Sequence, residues 1–145
     1  MEVKIKKLTE SAIIPTKGSE EAAGFDLYVD SDMPVAIFPH ETVMLQTNIA
    51  FELPRGYFGG IFARSGLSTK RGIRPATCVS VIDSDYRGSV GVPLHNDTDE
   101  PRLIEPYERV AQMVIIPIPE IELVLADTLT ETERASGGFG SSGRW

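Results

Sequence analysis

The stretch Tyr57-Phe-Gly-Gly-Ile-Phe-Ala-Arg-Ser-Gly-Leu-Ser68 predicts an apolar β-strand that leads directly into a short helical turn. Aromatic and aliphatic residues dominate its first half, and residues 65 to about 70 are the best helical candidate in the chain. A serine that caps a short helix leaves backbone N–H groups free to bind an anion, and Arg64 beside Ser65 can pair with phosphate oxygens. An ordinary helix cap beside a surface arginine is the alternative.

Short apolar-rich runs of the same kind recur on both sides of this stretch, and prolines separate them. No segment has the sustained apolar stripe of an amphipathic helix. Many short strands at regular spacing predict an all-β fold, an antiparallel jelly roll or distorted barrel with one short helix. The predicted strands cover residues 3–5, 24–29, 35–38, 43–51, 57–63, 79–82, 90–94, 110–116 and 121–125.

Composition narrows the class of protein. The chain has 145 residues, the size of one domain, and its net charge of −7 argues against nucleic-acid binding through a basic surface. No apolar run approaches the length of a membrane span, and the first residues do not form a signal peptide. A single cysteine, Cys78, suggests a reducing compartment, so we expect an intracellular, cytoplasmic protein without membrane or nucleic-acid partners. His40 and His95 are isolated, which does not indicate a zinc site.

The segment Arg134-Ala-Ser-Gly-Gly-Phe-Gly-Ser-Ser-Gly143 has two interpretations. Glycine and serine are typical of a flexible linker. However, Arg134 offers a forked cation suited to phosphate, and Phe139 offers a flat apolar face. The sharper interpretation is therefore a C-terminal arm that closes over a ligand containing phosphates and a ring.

The stretch Val81-Ile-Asp-Ser-Asp-Tyr-Arg-Gly88 places Asp83 at the end of a short strand, followed by a turn. A polar hairpin tip is the common interpretation. The functional one makes Asp83 a carboxylate that orients a water molecule, with the Tyr86 ring packed on a sugar.

Two polar residues interrupt apolar strands. Gln112 lies within residues 110–116, where it either bonds to neighbouring backbone or faces a ligand pocket. Asp26 lies within residues 24–29, where it either makes a structural hydrogen bond or belongs to the outer shell of a metal ion.

Taken in order, these segments closely resemble the motifs of the trimeric dUTP diphosphatases (dUTPases), over about residues 15–143. The resemblance implies a jelly roll assembled as a homotrimer, with active sites between subunits and the arm of the third subunit folded over each. It also implies hydrolysis of dUTP to dUMP and pyrophosphate, with Mg²⁺ bound to the triphosphate. The chain would then divide into a β domain, residues 1–130, and a flexible glycine-rich arm, residues 131–145.

The resemblance also implies a role for each matching residue. Asp83 would orient the attacking water, Tyr86 would disfavour a ribose 2′-hydroxyl, and Asp26 would lie near the water shell of the metal. The remaining roles are substrate contacts. Phosphates would be held by Arg64, Ser65, Gly66 and Gln112, and the outer phosphates would be bound by Arg134, Gly140 and Ser141. Uracil would be read around Thr77, Val81 and Ile82, and Phe139 would stack on it.

The chain departs from the family pattern at a few positions. Ser68 stands where alanine or glycine is frequent, Ser80 where glycine is frequent, Tyr107-Glu108 where Gly-Asp is frequent, and Ala135 where a glycine often follows the arginine. None of these departures removes a group with an assigned role.

Two other functions fit the sequence less well. A dCTP deaminase would need a catalytic glutamate where this chain has Pro93, which cannot shuttle a proton. A regulatory, protein-binding relative without activity would not need the combination of Asp83, Arg64, Gln112 and Arg134.

Overall fold

The computed structural model describes residues 1–138. In this range the regular secondary structure consists of short β-strands and one short helix, as the sequence predicts. The strands are β1 (Lys4–Lys7), β2 (Phe25–Tyr28), β3 (Val35–Ile37), β4 (Thr42–Gln46), β5 (Ile49–Glu52), β6 (Tyr57–Phe62), β7 (Ile73–Pro75), β8 (Ser80–Ile82), β9 (Gly91–Asn96), β10 (Arg102–Ile104) and β11 (Arg109–Pro117), and the helix is α1 (Ser65–Arg71).

Antiparallel pairing organises these strands into small sheets. The largest has the order β2-β11-β6-β8, and a second has the order β4-β9-β7. Two-stranded pairs, β1 with β5 and β3 with β10, complete the described fold. Among the described residues β8 pairs only with β6, so it forms an edge of the four-stranded sheet.

The core lies between the sheets because alternate residues along each strand point inward. Leu27, Ile61 and Met113 come from the four-stranded sheet, and Val92 and Leu94 come from β9; all are fully buried. Burial of each such side chain contributes about 1.5–3 kcal/mol to folding. The opposite face of the four-stranded sheet carries Asp26 and Gln112 together with the partly buried apolar residues Phe62, Val114 and Ile116.

A buried asparagine ties β9 to the β3–β10 pair. The Asn96 amide nitrogen donates to the carbonyls of Ile37 at 2.9 Å and Glu100 at 2.8 Å, and its oxygen accepts from the Thr98 backbone N–H at 2.9 Å. Because every polar atom of this side chain has a partner, its burial carries no desolvation penalty from an unpaired group.

The helix begins one residue earlier than a serine cap would require. Arg64 is the N-cap, with extended backbone angles and no capping side chain, and Ser65 is the first helical residue. The prediction that Ser65 caps the helix was therefore wrong. The helix ends at Gly72, whose φ of 66° is left-handed; a Cβ there would meet Thr98 Cγ2 at 2.4 Å.

Strand prediction failed in identifiable places. Residues 43–51 form two strands, β4 and β5, because the chain turns at Asn48 with a φ of 50°. The three-residue strands β7 and β10 lack an apolar run and were missed. Residues 121–125 form no strand, since no strand within residues 1–138 pairs with them, and Leu123 and Leu125 are 92% and 100% exposed.

Between Met1 and Gly138, no helix combines the length and the apolar character that crossing a membrane requires.

Candidate active site

Two open clefts contain most of the residues singled out in the sequence. We call the first the arginine cleft; it has a volume of about 570 Å³ measured out to solvent. It is lined by Gly18, Ala22, Gly24, Asp26, Arg64, Ser65, Gly66, Arg109 and Gln112. Strand register explains this meeting: Gln112 of β11 lies opposite Asp26 of β2 and opposite Phe62 at the end of β6, two residues before Arg64.

Asp26 holds two arginines within this cleft. Arg64 Nε donates to Asp26 Oδ1 at 2.8 Å, and Arg109 Nη1 donates to Asp26 Oδ2 at 3.0 Å. Asp26 is only 8% exposed, and Arg64 also donates to the Arg109 carbonyl at 3.2 Å. Asp26 thus makes the structural hydrogen bonds that one interpretation of the sequence predicted, and both donors are arginine side chains.

Gln112 satisfies both of its sequence interpretations at once. Its amide nitrogen donates to the Ala63 carbonyl at 2.9 Å, and its half-buried side chain lines the arginine cleft. Because the carbonyl of Ala63 precedes Arg64, this hydrogen bond fixes the backbone on which that arginine is mounted. Ser65 and Gly66 contribute the first backbone N–H groups of α1, which have no acceptor within a helix.

The second cleft, which we call the hairpin cleft, has a volume of about 640 Å³ measured out to solvent. It is lined by Met44, Gln46, Val81, Ile82, Asp83, Tyr86, Ser89 and Gly91. Asp83 directly follows β8, as predicted, and its carbonyl accepts from the Tyr86 backbone N–H at 3.1 Å to close a turn. Tyr86 and Val81 are 44% and 57% exposed, whereas Asp26 in the arginine cleft is 8% exposed.

The Tyr86 ring has a defined seat. Its hydroxyl donates to the Ser89 carbonyl at 3.0 Å, and the ring lies directly against Gly88. A Cβ atom at Gly88 would come within 2.3 Å of Tyr86 Oη and 2.6 Å of its Cζ. The absence of a side chain at Gly88 therefore permits this ring position.

Sequence reasoning gave no role to several cleft residues, among them Met44, Gln46 and Arg109. Met44 and Gln46 come from β4, where nothing in an ordinary alternating strand marks them as functional; Gln46 accepts from Ser89 Oγ at 2.8 Å. Arg109 precedes the predicted strand of residues 110–116 and was given no role. The only hint in the sequence was that two consecutive apolar residues, Val110 and Ala111, separate Arg109 from Gln112.

Other predicted residues lie outside both clefts. The hydroxyls of Thr77 and Ser80 are 2.5 Å apart, beside β8. Arg134 is exposed, and its Nε donates to the Gly137 carbonyl at 2.9 Å. Phe139, Gly140 and Ser141 lie outside the described residues.

The departures from the family pattern have structural counterparts. Tyr107 and Ala135, which stand where glycine is frequent, adopt left-handed backbone angles with φ of 56° and 45°. Such angles cost a residue with a side chain roughly 1–2 kcal/mol. Ser80 pairs regularly with Ile61, and the register between β6 and β8 is undisturbed.

Comparison with known proteins gives the family. A family model described as dUTPase matches residues 10–143. The chain belongs to the dUTPase family. A deoxyuridine 5′-triphosphate nucleotidohydrolase of Hydrogenobaculum sp. is 45% identical over 143 residues, covering 99% of each chain, and one of Kluyveromyces lactis is 41% identical over 143 residues, covering 98% of this chain and 94% of the relative.

Solved dUTPases share the fold. The dUTPase of Staphylococcus bacteriophage 80alpha, solved with dUPNHPP, superposes with a TM-score of 0.90 at 29% identity and covers 98% of both chains. A point mutant of the dUTPase from phage phi11 of S. aureus, described with a structural Mg(II) ion, has a TM-score of 0.82 at 23% identity, covering 90% of this chain and all of that one. The predicted jelly-roll-like β fold is confirmed.

Proposed function

We propose that the chain hydrolyses dUTP to dUMP and pyrophosphate, with the arginine cleft binding phosphates and the hairpin cleft binding the nucleoside and the attacking water. The observation that carries this proposal is the chemical complementarity of the clefts. One concentrates guanidinium groups and helix N–H groups, and the other places a carboxylate beside an exposed aromatic ring. Together they match the two ends of a nucleoside triphosphate.

In the arginine cleft, Arg64, Ser65, Gly66 and Gln112 would hold phosphate oxygens. Arg64 and Arg109 bring two positive charges against the single negative charge of Asp26, which leaves a net positive site. Guanidinium groups pair well with phosphate, and they also stabilise charge that moves onto the leaving pyrophosphate. An acidic protein can bind a polyanion this way because its arginines converge locally.

In the hairpin cleft, Asp83 would orient water for attack on the α-phosphorus. The carboxylate needs position more than an unusual pKa for this role. Tyr86 would pack on the deoxyribose and leave no room for a 2′-hydroxyl. Since β8 pairs only with β6 in the described part of the chain, one edge of its backbone is available to read uracil near Val81 and Ile82, with Thr77 beside them.

The arm would close the site. Arg134, Gly140 and Ser141 would clasp the outer phosphates, and Phe139 would stack on uracil. The predicted division into residues 1–130 and an arm of residues 131–145 belongs to this proposal. It is supported by the position of β11, which ends at Pro117, and by Arg134 lying exposed beyond it.

The residues present fit Mg²⁺ that arrives with the substrate. Residues 1–138 contain no group of three His, Cys, Asp or Glu that could hold a metal ion. Both oxygens of Asp26 are already paired with arginine, so Asp26 would meet the ion only through water. Bound Mg²⁺ would neutralise phosphate charge, whereas the arginines orient the triphosphate.

A homotrimer with sites between subunits is part of the proposal. The two clefts share no lining residue. In a trimer, the arginine cleft of one subunit would face the hairpin cleft of a neighbouring subunit, so that one substrate contacts both. Ile121, Leu123 and Leu125 alternate along the chain and are at least 74% exposed, as expected for a segment that packs on a partner. An intracellular location fits the exposed free thiol of Cys78.

The decisive test is pyrophosphate release from a nucleotide panel. We expect dUTP to be hydrolysed in preference to UTP, dTTP and dCTP, and we expect turnover to require Mg²⁺. Equal rates across the panel would contradict the assignment of the hairpin cleft, and absence of pyrophosphate with every nucleotide would contradict the whole proposal. Sedimentation of the same sample reports whether the chain is trimeric.

A further inference from the structure

The position of Asp26 poses an electrostatic problem. A carboxylate in a phosphate-binding cleft repels the ligand, and this one is nearly buried and lies beside Arg64, Ser65 and Gln112. A buried charge is tolerated only where it is paired. Its pairing with two arginines at 2.8 Å and 3.0 Å satisfies that condition, but it also halves the positive charge they offer. The carboxylate must therefore contribute something other than charge.

A β-bulge places the second arginine. The register between β11 and β2 shifts between Arg109 and Ala111, so that Val110 and Ala111 are both fully buried. A bulge re-aims the side chain next to it. Without it, strand alternation would put Arg109 and Gln112 on opposite faces of the sheet. With it, Arg109 and Gln112 line the same cleft as Asp26.

Asp26 bridges the two guanidinium groups through different oxygens. Arg64 binds Oδ1 and Arg109 binds Oδ2, and Arg64 also donates to the backbone of Arg109. Two like charges this close repel each other, and the carboxylate between them removes that cost. The side chains of Arg64 and Arg109 remain 27% and 46% exposed, so each retains N–H groups that face the cleft.

We propose that Asp26 is a positioning residue that holds Arg64 and Arg109 side by side in the orientation that receives the triphosphate. This inference rests on the proposed function for the identity of the ligand. It assigns Arg109 to the phosphate site. It also explains why a carboxylate lies in this cleft, because Asp26 positions the arginines independently of any metal. The side-chain entropy of two arginines is lost on folding and is not lost again on binding.

One substitution tests the proposal by the direction in which it changes the affinity for the nucleotide analogue. Asp26→Asn keeps the shape but cannot accept from both arginines. We expect it to weaken binding of the α,β-imido analogue of dUTP by about tenfold or more, measured by calorimetry in EDTA. If Asp26 acted only through its charge, removal of that charge would tighten binding. If it acted only through the water shell of a metal, affinity in EDTA would not change. Either result would overturn the proposal.

Asp97→Asn is a matched control. Asp97 accepts from Arg74 Nε at 2.7 Å and Nη2 at 3.0 Å, and it lines neither cleft. Asp97→Asn therefore disrupts an aspartate–arginine ion pair of similar length that is more exposed and involves a single arginine. We expect the analogue to bind this variant with the wild-type affinity, and an equal loss in both variants would show a general structural effect.

Arg109→Gln covers the case in which Asp26→Asn does not fold, and where Asp26→Asn does fold the two substitutions form a double-mutant cycle. Arg109 is partly exposed, so Arg109→Gln removes one held arginine and leaves Asp26 paired with Arg64. We expect Arg109→Gln alone to weaken analogue binding in EDTA. In the Arg109→Gln background, Asp26→Asn should change the dissociation constant by a factor that is at least about threefold smaller than in the wild type. Unchanged affinity for Arg109→Gln, or strictly additive effects, would contradict the proposal. Analogue binding separates this outcome from failure of the proposed activity, which is judged by wild-type pyrophosphate release.

Discussion

The arginine cleft and the hairpin cleft differ in how much of their geometry the single chain fixes. In the first, Asp26 is 8% exposed and its carboxylate is bound to two arginines, and three paired strands support it. In the second, Val81 is 57% exposed on an edge strand of three residues. Under the proposed function, this difference means that the phosphate-binding side chains would be preorganised within one subunit, whereas the nucleoside side would be completed by substrate, arm and neighbouring subunit.

The largest effect is expected from Asp83→Asn in the hairpin cleft. The amide cannot accept a proton from water, so we predict that kcat falls by roughly 10³-fold, within the range for loss of a general base. Binding of the imido analogue should survive because the arginine cleft is untouched. Pyrophosphate release and calorimetry on the same sample measure the two quantities, and near-normal turnover would remove Asp83 from the mechanism.

Removal of the arm tests whether the arm completes the hairpin cleft. A chain that ends at residue 133 keeps all eleven strands, β1 to β11, and both clefts, so its oligomeric state and thermal unfolding should not change. We predict that kcat/KM for dUTP falls by about 10²-fold, since the site stays open to solvent and loses an arginine. Unchanged kinetics would mean that the arm has no part in catalysis.

Arg64→Lys tests the preorganised cleft directly. Lysine keeps the charge but cannot pair with Asp26 and the Arg109 carbonyl through a planar fork. We expect the dissociation constant of the imido analogue to rise by about 10- to 100-fold, with a smaller change in kcat. A large loss of kcat at constant affinity would place Arg64 in the chemical step instead.

The sequence was most informative where a chemical pattern and a strand boundary coincide. Asp83 follows β8 as predicted, because two aliphatic residues before a turn define a strand end. Arg109 received no role, because a bulge depends on how two strands align and only the adjacent apolar residues hint at it. Residues 121–125 were predicted as a strand because they form a short apolar-rich run. Such a run shows that side chains seek burial, but it does not show that a partner strand exists in the same chain.

The smallest effect is expected at the seat of the tyrosine, in Gly88→Ala. An added Cβ would lie 2.3 Å from Tyr86 Oη, so the ring must move away from the Ser89 carbonyl that it now contacts. A displaced ring leaves more room beside the sugar, and we predict that the preference for dUTP over UTP falls by about tenfold while dUTP turnover changes less. The ratio of kcat/KM for the two nucleotides measures this.

Tyr86→Phe provides the matched comparison, because it removes the hydrogen bond to the Ser89 carbonyl and keeps the ring and Gly88. If the seat at Gly88 sets the ring position, Tyr86→Phe should retain most of the discrimination that Gly88→Ala loses. The opposite ranking would mean that the hydroxyl, held at 3.0 Å by that carbonyl, determines where the ring lies. The hairpin cleft would then owe its specificity to a single hydrogen bond, in the same way that the arginine cleft depends on the ion pairs of Asp26.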